Sequence, residues 1–216
     1  MDFNYFQEII RIAAKCNDTY VIKIIFFELL NNPDLLGFLF SVRLYGRTFV
    51  NYYLEYLCEC GDNKLLLPLI SREELHQSIL NNPYLFLLAC KKDNDDVVRE
   101  LLFIGVNPAM DDNLPLTEAC FKNSVKVVKI LISDYRVISD STNNGAISNV
   151  VLNGKLYTEI LDLFLNHPET KDITEYYSYF HFNEGEKEKA DAALKRYHAL
   201  CDKRIQEQRL RRTTKK

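Results

Sequence analysis

The sequence lacks the motifs that most directly indicate an enzyme and the long apolar run that indicates a membrane span. Its 216 residues contain no Gly-rich phosphate loop, no Gly-x-Ser-x-Gly, no His-Glu-x-x-His and no paired Cys-x-x-Cys. The apolar run at residues 21–30 stops short of the roughly 18 apolar residues that a spanning helix needs. We therefore expect no membrane span, no cofactor, no bound metal and no catalytic activity.

A secretory leader and a glycine-rich composition are lacking as well. Residues 1–12 show no basic stretch followed by an apolar run and a small-residue cleavage site, so we expect an intracellular protein, cytoplasmic or nuclear, that is not secreted. Only 7 Gly stand against 18 Asn and 13 Tyr, a bias toward residues with A/T-rich codons. This bias is typical of some viruses and eukaryotic parasites, and in that case the compartment would be the host cell.

What the chain does contain is a recurring pattern of apolar residues around short polar turns. Segments 89–108 and 119–138 align on Asp93 and Asn123, with apolar residues four, five, eight and nine positions after each turn. These offsets form one face of a helix. The pattern recurs with turns at Asn17 and Gly61 and, with a polar misfit at Glu159, at Lys155. Since a small or apolar pair precedes every turn, each unit predicts two helices joined by a tight turn.

The two clearest segments resemble the ankyrin repeat family. Residues 114–123 (LPLTEACFKN) resemble the first half of that repeat, and residues 97–108 (VVRELLFIGVNP) resemble the second half, with Gly105 at its glycine position. The resemblance implies an all-α fold, an α-solenoid of stacked helix-turn-helix units over residues 1–173. Residues 174–216 would add an aromatic segment, a C-terminal capping helix and a basic tail. The interval of 44 residues from Asn17 to Gly61 exceeds the family norm of about 33, so we expect an insertion there.

The cysteines fall into columns of this alignment. Cys58, Cys90 and Cys120 each stand three residues before a turn, where a helix interface favours a small, soft side chain. Cys16 and Cys60 share a second column, one residue before the turn. The alternative, a metal site at Cys58 and Cys60, lacks a second ligand pair at zinc spacing. We therefore interpret the first column as core.

Helix starts are indicated at several polar residues. In the repeated phrase Leu-Asn-Asn-Pro, Asn32 and Asn82 are placed to cap the helix that follows, with proline at its first position. Ser71 and Glu74 have the spacing of a capping box.

The resemblance implies a scaffold or adaptor that presents a repeat surface to a partner protein. The candidate partner-binding residues are polar positions on first helices and loops: Lys91, Lys92, Asp111, Asp112, Asn113 and Lys122. The rival hypothesis assigns binding to the tail, because residues 195–216 hold nine Lys or Arg and two acidic residues, a net charge of +7. Such a tail could bind nucleic acid or an anionic surface, with the helical array as its support.

A third hypothesis is an enzyme with a cysteine nucleophile. Its base would be His76, His167, His181 or His198, and Cys201 is the cysteine that stands outside the repeat columns. Such pairs meet only in the folded chain, so this alternative stays open at the level of sequence.

Overall fold

The structure is a computed structural model that describes residues 3–16 and 18–138, together with isolated positions 159, 160, 163, 164, 188, 192, 195, 199 and 206. The expected turns at Asn17 and Lys155, the aromatic segment, the capping helix and the basic tail lie outside the described residues, apart from those isolated positions. So do Cys201 and His167, His181 and His198.

Helices dominate the described part of the chain, which contains eleven helices and one two-stranded sheet and confirms the all-α prediction. The helices are α1 (Phe3–Lys15), α2 (Thr19–Asn31), α3 (Pro33–Ser41), α4 (Phe49–Cys60), α5 (Asn63–Ile70), α6 (Glu73–Leu80), α7 (Pro83–Lys91), α8 (Asp95–Phe103), α9 (Met110–Phe121), α10 (Val125–Ile132) and α11 (Tyr135–Ile138). The strands are β1 (Arg43–Leu44) and β2 (Arg47–Thr48).

The chain divides into two compact units. Unit 1 comprises Met1–Ala89 and Asp96–Val106, and unit 2 comprises Cys90–Asp95 and Asn107–Lys216.

Unit 1 is built around α4, which packs against α2, α3, α5, α6 and both strands. Its core is aromatic: the Phe26 ring lies 4.4 Å from the Tyr53 ring and 5.6 Å from the Phe49 ring, centroid to centroid. All three side chains are buried. Because large rings at these distances contribute both buried area and edge contacts, this cluster stabilises the core of unit 1.

The insertion expected between Asn17 and Gly61 contains α3 and a β-hairpin that the all-α prediction did not include. β1 and β2 pair antiparallel, with Arg43 opposite Thr48 and Leu44 opposite Arg47. The two connecting residues, Tyr45 and Gly46, have φ of +50° and +82°. Two positive-φ residues between paired strands make the type I′ turn that matches the twist of a hairpin.

Most of the predicted apolar face is buried in each second helix that the structure describes, while Val21, Leu65, Leu102 and Leu163 are only partly buried. Ile22, Leu66, Val98 and Val128 occupy one column of the pattern and are all at most 3% exposed. In the fifth unit Ile160 is buried, whereas the polar misfit Glu159 is exposed. Burial therefore follows the helical spacing along the chain.

Three of the predicted turn residues are described, and each has a left-handed backbone between two helices. Gly61, Asp93 and Asn123 have φ of +71°, +53° and +59°. Glycine adopts this conformation without a steric cost, and aspartate and asparagine tolerate it better than other side chains do.

Local caps start several helices of unit 1. The side-chain oxygens of Asp18, Asn32, Thr48 and Asp62 accept backbone N–H bonds in the first turns of α2, α3, α4 and α5. The cap predicted at Asn32 is therefore confirmed, with Pro33 at the first helical position.

The capping box predicted at Ser71 and Glu74 is wrong. The helix α6 begins at Glu73, with Arg72 as its N-terminal flanking residue, while the Ser71 hydroxyl donates to the Leu67 carbonyl at the end of α5. Ser71 thus belongs to the preceding helix, and Glu74 forms an ion pair with Arg72 at 3.2 Å.

In unit 2, α9 and α10 pack against each other and are joined by the short turn at Asn123, and α11 packs against α10. The apolar face of α10, formed by Val127, Val128, Leu131 and Ile132, is buried. This pair carries most of the residues that the sequence predicts as partner contacts.

Candidate functional site

The turn at Asp93 is tied to the start of α10 by two side chains. Asp93 Oδ1 accepts the backbone N–H of Val127 at 3.2 Å, and Asp95 Oδ1 lies 3.3 Å from Lys126 Nζ. The N–H of Val127, the third residue of α10, has no acceptor within its own helix. Asp93 therefore caps α10 from 34 residues away along the sequence. The exposed Lys92 consequently stands on a turn whose position is fixed.

An acidic turn forms the start of α9. Asp111, Asp112 and Asn113 are three successive left-handed residues, with φ of +48°, +56° and +62°. For residues other than glycine this conformation costs about 1–2 kcal/mol each, and somewhat less for Asp and Asn. Asp111 and Asp112 are exposed, so the turn displays two carboxylates side by side.

Asn113 does not belong to the exposed set that was predicted from the sequence. It is 0% exposed, and its side-chain Nδ2 donates to the Val137 carbonyl at 3.1 Å. The left-handed turn directs this amide into the unit, where it bonds the end of α11. Asn113 is therefore a structural residue that holds the acidic turn in place.

Lys91 also forms an ion pair within unit 2. Its Nζ lies 3.5 Å from Glu118 Oε2, and both side chains are partly buried. A lysine held in this way is less available to a partner than a free one. Lys92 and Lys122 remain exposed.

The end of α9 displays an aromatic ring beside a cation. Phe121 is 45% exposed, and Lys122 Nζ lies 5.1 Å from the centroid of its ring. Sequence reasoning selected Lys122 but missed Phe121, although Phe121 directly follows the buried Ala119-Cys120 pair and falls outside the apolar columns. We call Asp111, Asp112, Phe121 and Lys122 the α9 surface.

The two cysteine columns differ in solvent exposure. Cys58, Cys90 and Cys120 are at most 1% exposed, and Cys16 and Cys60 are exposed. The prediction that the first column is core is confirmed. Burial raises the pKa of the Cys120 thiol well above its usual range, so this thiol stays protonated and is a poor nucleophile.

The metal alternative concerns Cys58 and Cys60, which the structure describes, whereas Cys201 and three of the four histidines of the cysteine-enzyme alternative lie outside the described residues. Within the described ranges, no group of three or more His, Cys, Asp or Glu is placed to hold a metal ion. His76 lies partly buried on α6.

A concave feature lies in unit 1, between α1 and the β-hairpin. It is a cavity of about 580 Å³ lined by Glu8, Arg11, Lys15, Arg43, Leu44, Tyr45 and Gly46. Sequence reasoning did not select it, because its residues come from two segments about 30 positions apart and meet only in the folded unit. The one local signal is Tyr45-Gly46, a turn dipeptide between alternating polar and apolar residues.

Comparison with protein-family models, with curated proteins and with solved structures finds no match to this chain. The ankyrin resemblance thus stays a prediction that rests on the residues quoted above.

As for membranes, none of the helices in the described ranges combines the length and the apolar character that crossing a bilayer requires.

Proposed function

We propose that the protein is a non-enzymatic interaction module that binds a partner protein through the α9 surface. Its helix pairs would stack as in an ankyrin-like solenoid and present that surface on a scaffold or adaptor. Buried pairs before the turns, buried faces after them and left-handed turn residues all support this architecture.

The observation that carries the proposal is the acidic turn. Three adjacent left-handed residues, none of them glycine, are conformationally costly, and such strain persists only where the surrounding structure enforces it. Here the buried amide of Asn113 enforces it through the Val137 carbonyl. The result is a pair of exposed carboxylates with fixed positions, which suits recognition because little entropy is lost when a partner binds.

The other end of α9 supplies a contact of a different chemistry. Protein interfaces are enriched in aromatic side chains, and an exposed ring with an adjacent cation can bury apolar area while the charge pairs with a carboxylate. About 14 Å of helix separates Asn113 from Lys122 at the usual rise per residue. A single partner patch can span that distance, since a specific interface covers roughly 800 Å² on each side.

The expected partner therefore carries a basic segment opposite Asp111 and Asp112 and an apolar, acidic patch opposite Phe121 and Lys122. Complementary charge of this kind mainly sets specificity and association rate, whereas the buried ring contributes more of the affinity.

The test is an affinity capture from cell extract followed by measurement of the dissociation constant for the captured protein. The variants are Asp111→Asn with Asp112→Asn, which removes both charges but tolerates the left-handed backbone, and Phe121→Ala. The matched controls are Glu28→Gln and Tyr20→Ala, which change exposed residues of α2. We expect each α9 variant to weaken binding by about tenfold or more and the controls to leave it unchanged.

Wild-type affinity in both α9 variants would remove this surface from consideration. Deletion of residues 195–216 and a salt titration separate the rival hypothesis. Binding that is lost on deletion and falls steeply with salt would assign the function to the basic tail instead.

A further inference from the structure

Positively charged side chains dominate the lining of the cavity in unit 1. Arg11, Lys15 and Arg43 contribute three cations, whereas Glu8 contributes the single carboxylate among the lining residues. Glu8 Oε2 lies 3.6 Å from Arg11 Nη1 on an exposed face of α1, so this pair is weak and screened by solvent. The lining therefore keeps a positive charge that favours an anionic occupant.

The cations differ in how they are held. Arg43 Nη1 donates to the Gly46 carbonyl at 3.4 Å, which directs its guanidinium across the hairpin. Lys15 is the last residue of α1, where a cation also interacts favourably with the helix dipole. Two guanidinium groups and an ammonium group in one cleft suit phosphate oxygens, which arginine binds with paired donors.

One wall of the cavity is aromatic. Tyr45 sits at the tip of the hairpin with 67% of its surface exposed, and its ring centroid lies 6.0 Å from that of Tyr52. An exposed ring beside clustered cations can stack a flat heterocycle while the cations bind attached phosphates.

The hairpin that carries Arg43 and Tyr45 is firmly attached to unit 1. Arg47 on β2 pairs with the buried Glu55, and Glu55 Oε1 also accepts from Asn82 Nδ2 at 3.0 Å. The Arg47 guanidinium carbon lies 4.9 Å from the Tyr84 ring centroid, and Leu44 on β1 is buried. These contacts hold the aromatic wall against the unit before any ligand arrives.

We propose that this cleft binds a nucleotide. Arg11, Lys15 and Arg43 bind the phosphates, and Tyr45 stacks the base. A volume of about 580 Å³ is within the range of small-molecule sites and accommodates a ligand of this size. A diphosphate suits the lining best, because it brings more than one negative charge to three cations.

The test is isothermal titration calorimetry of the full-length chain with ADP, pyrophosphate and adenosine in parallel. The charge variants are Arg43→Gln and Lys15→Gln; the second leaves the hairpin untouched. The ring variant is Tyr45→Asn, since asparagine before glycine is a preferred type I′ dipeptide and keeps the turn. Lys64→Gln, which removes an exposed cation on α5, is the matched control, and circular dichroism checks the fold of each variant.

We expect wild-type protein to bind ADP more tightly than pyrophosphate or adenosine. Both charge variants should weaken ADP and pyrophosphate binding by about tenfold, whereas Tyr45→Asn should weaken ADP by a similar factor and leave pyrophosphate unchanged. The control should match wild type.

Four outcomes would overturn the proposal. The first is no ADP binding by wild-type protein at millimolar concentration. The second is an equal loss in Lys64→Gln, which would indicate unspecific charge attraction. The third is equal affinity for ADP and pyrophosphate with no effect of Tyr45→Asn, which would reduce the cleft to a simple anion site. A 5′-phosphorylated oligonucleotide that binds more tightly than ADP would also contradict a free nucleotide as the ligand.

Discussion

Helix starts in the two units are stabilised over different distances along the chain. In unit 1, α5 is capped by its immediate neighbour, since Asp62 Oδ1 accepts the Leu65 N–H at 3.2 Å. In unit 2, α10 follows Ser124, yet among the described residues the Ser124 side chain makes no capping bond. Asp93 caps that helix instead, across 34 positions.

This difference has a consequence for how each unit is stabilised. A local cap stabilises a helix by about 1 kcal/mol whether or not the rest of the unit has formed. A cap from a distant turn contributes only once both segments are in place. Unit 2 adds a second link of this kind between Asn113 and Val137, also from a left-handed residue. We therefore expect the start of α10 to depend more on tertiary contacts than the start of α5 does.

The largest effect is expected at Asn113. Replacement by alanine leaves the buried Val137 carbonyl without the Asn113 amide and places alanine at φ of +62°. The loss should be about 3 kcal/mol of unfolding free energy, of which about 1 kcal/mol is backbone strain. Asn113→Gly removes the bond without the strain and should lose less. Urea unfolding measures the stability of both variants. Equal stability of Asn113→Ala and Asn113→Gly would contradict the expected backbone strain in the alanine variant.

A somewhat smaller loss is expected at Asp93. Asp93→Ala removes the cap of α10 and strains the backbone, for a total of about 2 kcal/mol. Asp93→Asn is the matched control, because its amide oxygen can still accept the Val127 N–H and asparagine tolerates the left-handed conformation. Urea unfolding should give a markedly lower unfolding free energy for Asp93→Ala than for Asp93→Asn. If the two variants unfold alike, the long-range cap contributes nothing.

Loss of the local cap at Asp62 should lower the unfolding free energy less than loss of the Asp93 cap does. Asp62 has φ of −80°, so Asp62→Ala loses the capping bond without strain, about 1 kcal/mol. The same urea titration applies, with Asp62→Asn as its control. A loss that exceeds that of Asp93→Ala would invert the contrast between the units.

The smallest effect is a pH dependence of stability in unit 1, where the buried Glu55 contacts Asn82 and Arg47. Burial raises the pKa of Glu55 from its ordinary value of 4.5, and the Asn82 hydrogen bond and the Arg47 charge oppose that shift only in part. Because the folded protein holds this proton more tightly than the unfolded chain, stability is lost as pH rises from about 4.5 through the raised pKa.

Glu55→Gln should remove that loss while keeping an oxygen that can accept from Asn82. The measurement is unfolding free energy between pH 4 and pH 8 for wild type and variant. The advantage of wild type over the variant should shrink as pH rises. An advantage that grows with pH would show that the Arg47 pair outweighs the burial of Glu55.

The parts of this fold that could be predicted from sequence depend on nearby residues. Helical spacing predicts the buried face of α10, and the column of Cys58, Cys90 and Cys120 predicts three core positions. The Asn32 cap is equally local. Each signal lies within one helix or one turn, where periodicity and capping chemistry act.

Most features that escaped prediction depend on contacts between distant segments. The hydrogen bonds of Asp93 and Asn113 join residues 34 and 24 positions apart, and no local pattern specifies them. Of the candidate site, the exposure of Lys92, Asp111, Asp112 and Lys122 agrees with expectation, whereas the burial of Asn113 and the display of Phe121 required the folded unit. The hairpin was missed because a single Tyr-Gly turn is a weak signal inside an insertion.

Amide hydrogen exchange at Val127, measured by NMR in wild-type protein and in Asp93→Gly, tests most directly whether a distant turn caps α10. Glycine keeps the left-handed backbone and removes only the acceptor. We predict that the Val127 amide exchanges at least about fivefold faster in the variant, as expected for a lost bond of about 1 kcal/mol, while the Leu65 amide of α5 keeps its wild-type rate. Unchanged exchange at Val127, or an equal increase at Leu65, would contradict the account.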